Sequence, residues 1–87
     1  MAIDRAVIRE CLLTKVRERG TAKSICPSEV ARALSQTDWR SLMPEVRSVG
    51  VELVEEGAIV VLQRGQVVDP LRVKGAIRYR LRATDEG

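Results

Sequence analysis

The stretch VRSVGVELVEEGAIVVLQR, residues 46–64, changes its pattern of apolar residues at Gly57. Before this glycine, apolar residues recur at the three- and four-residue spacing of one helix face: Val46, Val49 and Leu53. After it, they alternate as they do along a strand: Ala58, Val60 and Leu62. The change of period predicts a helix over 38–57 and a strand over 58–64, with the glycine ending the helix.

A second strand is predicted over 76–82. Three apolar residues alternate there with three arginines, which places the two sets on opposite faces of a sheet: Ile77, Tyr79 and Leu81 on one face, Arg78, Arg80 and Arg82 on the other. The two strands form a hairpin with a long loop, 65–75. Within the loop, the pair Asp69-Pro70 predicts a single turn.

Two helices are predicted before this region. Asp4 is a suitable N-cap for the first helix, which runs to about Arg19 and ends at Gly20. Its apolar face consists of Ile8, Cys11, Leu12 and Val16, widened by Ala6, Val7 and Leu13.

The second helix opens at Cys26-Pro27-Ser28-Glu29, because proline suits the first helical position and an acidic residue suits the first turn. Val30, Ala31 and Leu34 form its buried face. Just before this helix, Ile25 is expected to pair briefly with the hairpin as a third strand.

The third helix is capped by Asp38 or Ser41, and its start has two solutions. Pro44 lacks an N–H group, so it does not fit deep inside an unbroken helix without a kink. Either a short turn at 39–43 precedes the main helix, or one helix begins at a cap near Ser41. In both cases Gly50 lies on the apolar face, where it permits the close approach of another helix.

The order of elements predicts an α+β winged helix-turn-helix. Three helices precede an antiparallel β-wing of two strands, or of three if Ile25 pairs. The whole chain, 1–87, forms a single domain, and its ends, about 1–3 and 83–87, are expected to fray.

The composition argues against an enzyme. The 87 residues include no histidine, so the commonest general base is absent and Ser-His or Cys-His pairs cannot form. Two cysteines are too few for a zinc site of their own and lack redox-pair spacing. We therefore expect no catalytic residues, no metal and no cofactor. No apolar run reaches the length of a membrane span and no signal peptide opens the chain, so we expect a cytoplasmic protein and no membrane partner.

The basic hairpin is the strongest functional candidate. The net charge is +3, and from Gln63 onward the bases outnumber the acids until the last residues. Alternate arginines on a strand stand about 7 Å apart, close to the spacing of phosphates along a nucleic-acid strand. The phosphate-contacting residues predicted from this pattern are Arg64, Arg72, Lys74, Arg78, Arg80 and Arg82. In the alternative interpretation, the ladder Arg78/Arg80/Arg82 is a solvated sheet face paired with Glu52, Glu55 or Glu10.

The third helix would lie nearest a DNA groove, with Arg40, Arg47 and Ser48 as its hydrogen-bond donors. Its outward face also carries Glu45, Glu52 and Glu55, which repel phosphates unless a neighbouring arginine offsets them. DNA is therefore the first predicted partner. The alternative is a protein partner or a homodimer without nucleic acid, favoured by these glutamates and by Val51 on the outward face.

Three other features receive structural interpretations. Cys26 at a helix N-terminus and Cys11 are expected to be buried thiols. Trp39 is expected to anchor the core edge rather than stack on a base. Gly65 and Gly75 flank a loop and form no strand-to-helix phosphate cradle, so no small-molecule ligand is inferred.

The runs ICPSEVARAL at 25–34 and WRSLMPEVR at 39–47 resemble those of a small bacterial family known only as a domain of unknown function. The continuation EGAI at 56–59, QRG at 63–65, VDP at 68–70 and KGAIR at 74–78 is similar to the same family, so the resemblance spans nearly the whole chain. It implies a winged-helix fold and a bacterial source, and it implies no activity and no site residues.

Overall fold

The computed structural model describes residues 3–83 as three helices and one four-stranded antiparallel sheet, an α+β arrangement. In chain order the elements are α1 (Arg5–Arg19), β1 (Ser24–Ile25), α2 (Pro27–Leu34), α3 (Trp39–Glu55), β2 (Ile59–Gln63), β3 (Gln66–Val67) and β4 (Arg78–Leu81). The fraying expected at the two ends falls largely on residues 1–2 and 84–87, which lie outside the described residues. Ile3 packs against the core.

The sheet has the strand order β1-β4-β2-β3, so β4 lies between β1 and β2. Ile25 in β1 and Val61 in β2 both lie opposite Tyr79 in β4. The brief pairing predicted for Ile25 is therefore confirmed.

The strand count exceeds the prediction of two or three, because β3 lies inside the predicted loop 65–75. Arg64 and Gly65 form a two-residue turn with φ values of 55° and 80°, which returns the chain against β2. Two positive φ values in succession are those of a type I′ turn, the hairpin turn that matches the twist of its strands. Arginine tolerates this conformation less well than the usual asparagine or glycine, which is why the sequence pattern did not predict the turn.

The predicted core face of the first hairpin strand is wrong by one residue. Ile59 and Val61 face the core with Tyr79 and Leu81, whereas Val60 is half-buried and Leu62 is buried outside the main core cluster. Every position from 58 to 62 is apolar, so alternation in the sequence could not decide the phase. Pairing with β4 decides it.

The helix ends follow their local signals. The carboxylate of Asp4 accepts a hydrogen bond of 3.0 Å from the N–H of Val7, and Gly20 ends α1, as predicted. The buried face of α1 is narrower than predicted, because Ala6 is exposed and Val7 is 43% exposed. In the loop before β4, Asp69 accepts from the N–H of Leu71 at 2.9 Å, which confirms the predicted turn.

Helix α3 is one continuous helix that begins at Trp39, with Asp38, one of the two predicted caps, at the N-cap position. Ser41 instead closes the first turn, its N–H and hydroxyl both bonding the carbonyl of Asp38 at 3.2 and 2.9 Å. Pro44 lies in the second turn, where it removes only the helical bond to the carbonyl of Arg40. The solution with one helix that continues through the proline is therefore confirmed, with Asp38 rather than Ser41 at the N-cap position.

The core lies between the helices and the inner face of the sheet. Its centre includes Leu12, Val30, Val49, Leu53 and Tyr79, each 0–1% exposed. Gly50 faces this core, but its close neighbour is the ring of Tyr79 in β4 rather than another helix. Among residues 3–83, no helix is both long and apolar enough to cross a membrane.

Candidate nucleic-acid interface

A cleft of about 450 Å³ lies between the β2–β3 turn, the residues before β4 and the start of α2. Three of the predicted phosphate-contacting residues line it: Arg64, Lys74 and Arg78. Cys26, Leu62, Gln63 and the segment 75–77 complete the lining, which contains no carboxylate from residues 3–83. The fold therefore gathers cations from three separate parts of the second half of the chain around one concave surface.

Arg47 joins α3 to this cleft. Its guanidinium Nη2 donates a hydrogen bond of 2.9 Å to the carbonyl oxygen of Gly75, which itself lines the cleft. Arg40 precedes Arg47 by seven residues, so the two lie within about 20° of each other around the helix and about 10 Å apart along it. Arg40 and Arg47 thus extend the basic surface of the cleft along one side of α3.

Trp39 carries two guanidinium groups on its ring. The carbon Cζ of Arg40 lies 4.5 Å from the ring centre, and that of Arg32 in α2 lies 4.3 Å from it. Cation–π contacts of this kind hold the arginines in place while leaving their hydrogen-bond donors open. Trp39 also packs against the core, as predicted.

Two of the three glutamates of α3 face away from Arg47. Glu45 and Glu52 lie roughly 140–160° from it around the helix, and both pair with Arg5 of α1, at 3.1 and 2.7 Å. At the end of α3, Glu56 accepts two hydrogen bonds from Arg9, one of 2.7 Å. Pairing with Arg9 lowers the pKa of the Glu56 carboxyl and raises that of the arginine.

Ser48 lies on the same side of α3 as these ion pairs. Its hydroxyl accepts a hydrogen bond of 3.1 Å from Arg5, which places it apart from the cleft. Of the outward residues predicted on α3, Arg40 and Arg47 thus share one side, while Ser48 and two glutamates share another. Val51 is half-buried rather than exposed, which removes it as an apolar contact point.

The remaining predicted cations differ in their surroundings. The side chain of Arg72 is 88% exposed and lies 3.6 Å from Asp69. Arg80 and Arg82 are half-buried, and each already interacts within the chain. Among the described residues, Arg32, Arg40, Arg47, Arg64 and Lys74 have no carboxylate within ion-pair distance, as the full set of ion pairs indicates.

Arg78 is held in place by β1 and α2. Its Nε donates to the hydroxyl of Ser24 at 2.6 Å, its Nη2 donates to the Ser24 carbonyl at 2.9 Å, and the carboxylate of Glu29 lies 3.9 Å away. The alternative interpretation of the arginine ladder expected Glu52, Glu55 or Glu10 as its partners. For Arg78 the carboxylate is that of Glu29, and Glu52 pairs with Arg5 instead.

Glu29 connects three elements. Its carboxylate accepts from the N–H of Cys26 at 2.7 Å, pairs with Arg19 at 3.1 Å and faces Arg78. Replacing Glu29 with alanine should lower the free energy of unfolding by about 1–2 kcal/mol, mostly through the lost N-terminal capping bond. Glu29→Gln should lose less, because an amide oxygen still accepts the N–H. Urea denaturation of the two variants checks this, and equal losses would contradict the capping argument.

The two cysteines are free thiols and both are half-buried. Burial raises the pKa of the Cys11 thiol. The Sγ of Cys26 lies 3.1 Å from the hydroxyl of Ser28. Within residues 3–83 no group of three or more Cys, Asp or Glu side chains is arranged to hold a metal ion.

All seven elements lie within residues 5–82, the stretch that a single family model matches. The chain belongs to the family of proteins of unknown function designated DUF3253. The resemblance to a domain of unknown function is thereby confirmed over nearly the whole length. A search of curated proteins gave no match. DUF3253 carries no assigned activity, so only the geometry of this surface indicates its chemistry.

Sequence reasoning missed four residues that shape this surface: Arg5, Glu29 as a link to Arg78, Arg32 and Gln63. The residues that neighbour Arg5 on α1 give no sign that its partners lie on α3. Arg32 lies outside the basic second half and reaches Trp39 only through the packing of α2 on α3. The contacts are long-range in each case except Arg32, so no local motif could have identified them.

Proposed function

We propose that this chain is a winged-helix domain that binds duplex DNA through a basic surface and has no enzymatic activity. The surface comprises the Arg40–Arg47 side of α3 and the cleft cations, with Arg72 beside them on the loop. In this arrangement α3 lies toward the groove and the β2–β3 hairpin with the following loop forms the wing. The assignment to a winged helix rests on the order of three helices and a hairpin-bearing sheet.

The contact between Arg47 and Gly75 carries the proposal. It brings the middle of α3 against the same loop that supplies Lys74, so the helix cations and the wing cations form one surface. A DNA backbone is a linear array of phosphates, and a protein gains affinity from it by presenting several cations in register. Separate clusters on opposite sides of the domain would not serve this purpose.

The ion pairs of α1 support the same proposal. Glu45 and Glu52 would repel phosphates if they faced the same side as Arg47 with their charges uncompensated. The two glutamates lie on a different side of α3 from Arg47, and Arg5 offsets their charge. Contacts to phosphate dominate the proposed surface, since α3 offers few side chains that read base edges. We therefore expect weak dependence on base sequence.

Titration of a labelled duplex at several salt concentrations tests the proposal. We expect the logarithm of the association constant to fall linearly with the logarithm of salt, with a slope of about −4 to −5 if about five phosphates are contacted. Lys74→Gln should reduce the slope by about one. The matched control is Arg17→Gln, an exposed α1 cation outside the proposed surface. No binding at low salt, or equal slopes for all three proteins, would overturn the proposal.

A second candidate is a protein-interaction surface at the wing. Val67 and Leu71 are 60% and 73% exposed, which makes them the two most exposed large apolar side chains among residues 3–83. These two residues, and not Val51, are the exposed apolar side chains that favour the alternative function, a protein–protein contact. Light scattering after size exclusion tests whether the chain self-associates through this surface. If both the parent chain and Leu71→Ser are monomers at all concentrations, a homodimer through this surface is excluded.

A further inference from the structure

We propose that the basic cleft is a nucleotide site, in which the phosphate lies among Arg64, Lys74 and Arg78 and the base lies on the apolar floor. The choice of a nucleotide among phosphorylated ligands rests on the proposed function. The nucleotide is either free or the unpaired end of a DNA strand. These two sources share the same chemistry and are separated by the experiment below.

The size and lining of the cleft fit this class of ligand. Its volume of about 450 Å³ lies within the range of small-molecule sites, which is about 300–1,000 Å³. Leu62 and Ile77, 8% and 6% exposed, supply an apolar floor. The three cations stand around it, and no carboxylate of the described residues lies in the lining. An apolar floor with a cationic rim suits a flat base joined to a phosphate.

Gln63 adds a directional contact. Its amide nitrogen Nε2 donates to the carbonyl oxygens of Lys74 and Ala76, at 2.6 and 3.3 Å. Because both neighbouring groups are acceptors, the atom between them is the amide nitrogen and not the amide oxygen. The two bonds use both hydrogens of this nitrogen. The carbonyl oxygen Oε1 has no donor among the described residues, so it is the atom available to a ligand. An acceptor takes a hydrogen bond from a donor on the base edge, such as the exocyclic amino group of adenine.

The backbone of Arg64 is an independent observation. This residue has φ = 55° at the first position of the two-residue turn, where asparagine, aspartate or glycine is the usual choice. A large side chain held in the left-handed region costs stability, and such residues cluster at binding sites. The guanidinium that lines the cleft accounts for an arginine at this position.

Binding of deoxyadenosine monophosphate, followed by the NMR shifts of backbone amides around the cleft, tests the site. We expect saturable shifts at 63–65 and 74–78, and weaker binding of deoxyribose 5-phosphate, which lacks the base. Arg64→Asn should weaken binding at least about tenfold, as expected for one charge-assisted contact. This variant keeps the turn, because asparagine favours the same backbone conformation. Arg17→Gln should bind as the parent chain does.

A blunt duplex and the same duplex with an unpaired deoxyadenosine overhang separate the two sources. Tighter binding of the overhang, lost in Arg64→Asn, assigns the site to a strand end, whereas equal binding together with mononucleotide shifts assigns it to a free nucleotide. Duplex binding that follows salt as proposed, with no mononucleotide shifts and no overhang preference, overturns this inference and leaves the proposed function. Mononucleotide shifts without any DNA binding overturn the proposed function and leave the site. Equal affinity for deoxyadenosine monophosphate and deoxyribose 5-phosphate would overturn the placement of the base in the cleft.

Discussion

Replacing Gly50 with alanine should lower the free energy of unfolding by about 2 kcal/mol, a large part of the stability of a small domain. A methyl group on Gly50 would stand 2.7 and 2.8 Å from the ring carbons Cζ and Cε1 of Tyr79, well inside van der Waals contact. The ring cannot swing away, because Tyr79 is 1% exposed in the centre of the core. The higher helix propensity of alanine offsets only about 1 kcal/mol of the overpacking.

Urea denaturation followed by circular dichroism measures this loss. The matched control is Glu55→Ala, an exposed position of the same helix, which should change stability by less than about 0.5 kcal/mol. In a Tyr79→Leu background the clashing ring is gone, so Gly50→Ala should cost less than it does in the parent chain. An unchanged denaturation midpoint for Gly50→Ala alone would show that the helix and β4 are not packed this closely.

Ionisation of Tyr79 should destabilise the fold at alkaline pH. Burial raises the pKa of its phenol to about 12 from the ordinary value of 10. A folded pKa above the unfolded one means that the native state holds the proton more tightly. This contribution to stability is therefore complete below pH 10 and is lost as the pH rises through 12. Two pKa units correspond to about 2–3 kcal/mol.

The phenolate absorbance measures the titration directly, since Tyr79 is the only tyrosine of the chain. We expect a midpoint near 12 in the native protein and near 10 in concentrated denaturant. Tyr79→Phe is the control. It has no phenol at position 79 to ionise, so its stability should not fall above pH 10 for this reason. At neutral pH it should be as stable as the parent chain or slightly more so, because the hydroxyl is buried without a hydrogen-bond partner in the described structure. A native midpoint near 10 would contradict the tight packing around the ring.

The candidate interface could be predicted from the sequence only in outline. The basic residues after Gln63 were identified from composition and alternation, and three of them line one cleft. The same reasoning could not separate Arg47 from Ser48, which are adjacent in α3 yet bond to different elements: Arg47 to Gly75 in the loop, and Ser48 to Arg5 in α1. Tertiary packing determines which element each side of a helix contacts, and this cannot be predicted from the sequence of α3 alone.

Local patterns determined the helices and the main strands. Asp4, Pro27 and Gly57 act on backbone groups within one turn, so their effect can be predicted without knowledge of the fold. The tertiary structure alone decided the phase of β2, the contact of Gly50 with Tyr79 and the contacts of Arg5 with α3. Each of these joins groups far apart in the chain, 43 residues in the case of Arg5 and Ser48. Only strand register and helix packing bring such groups together, and both follow from the assembly of the whole core.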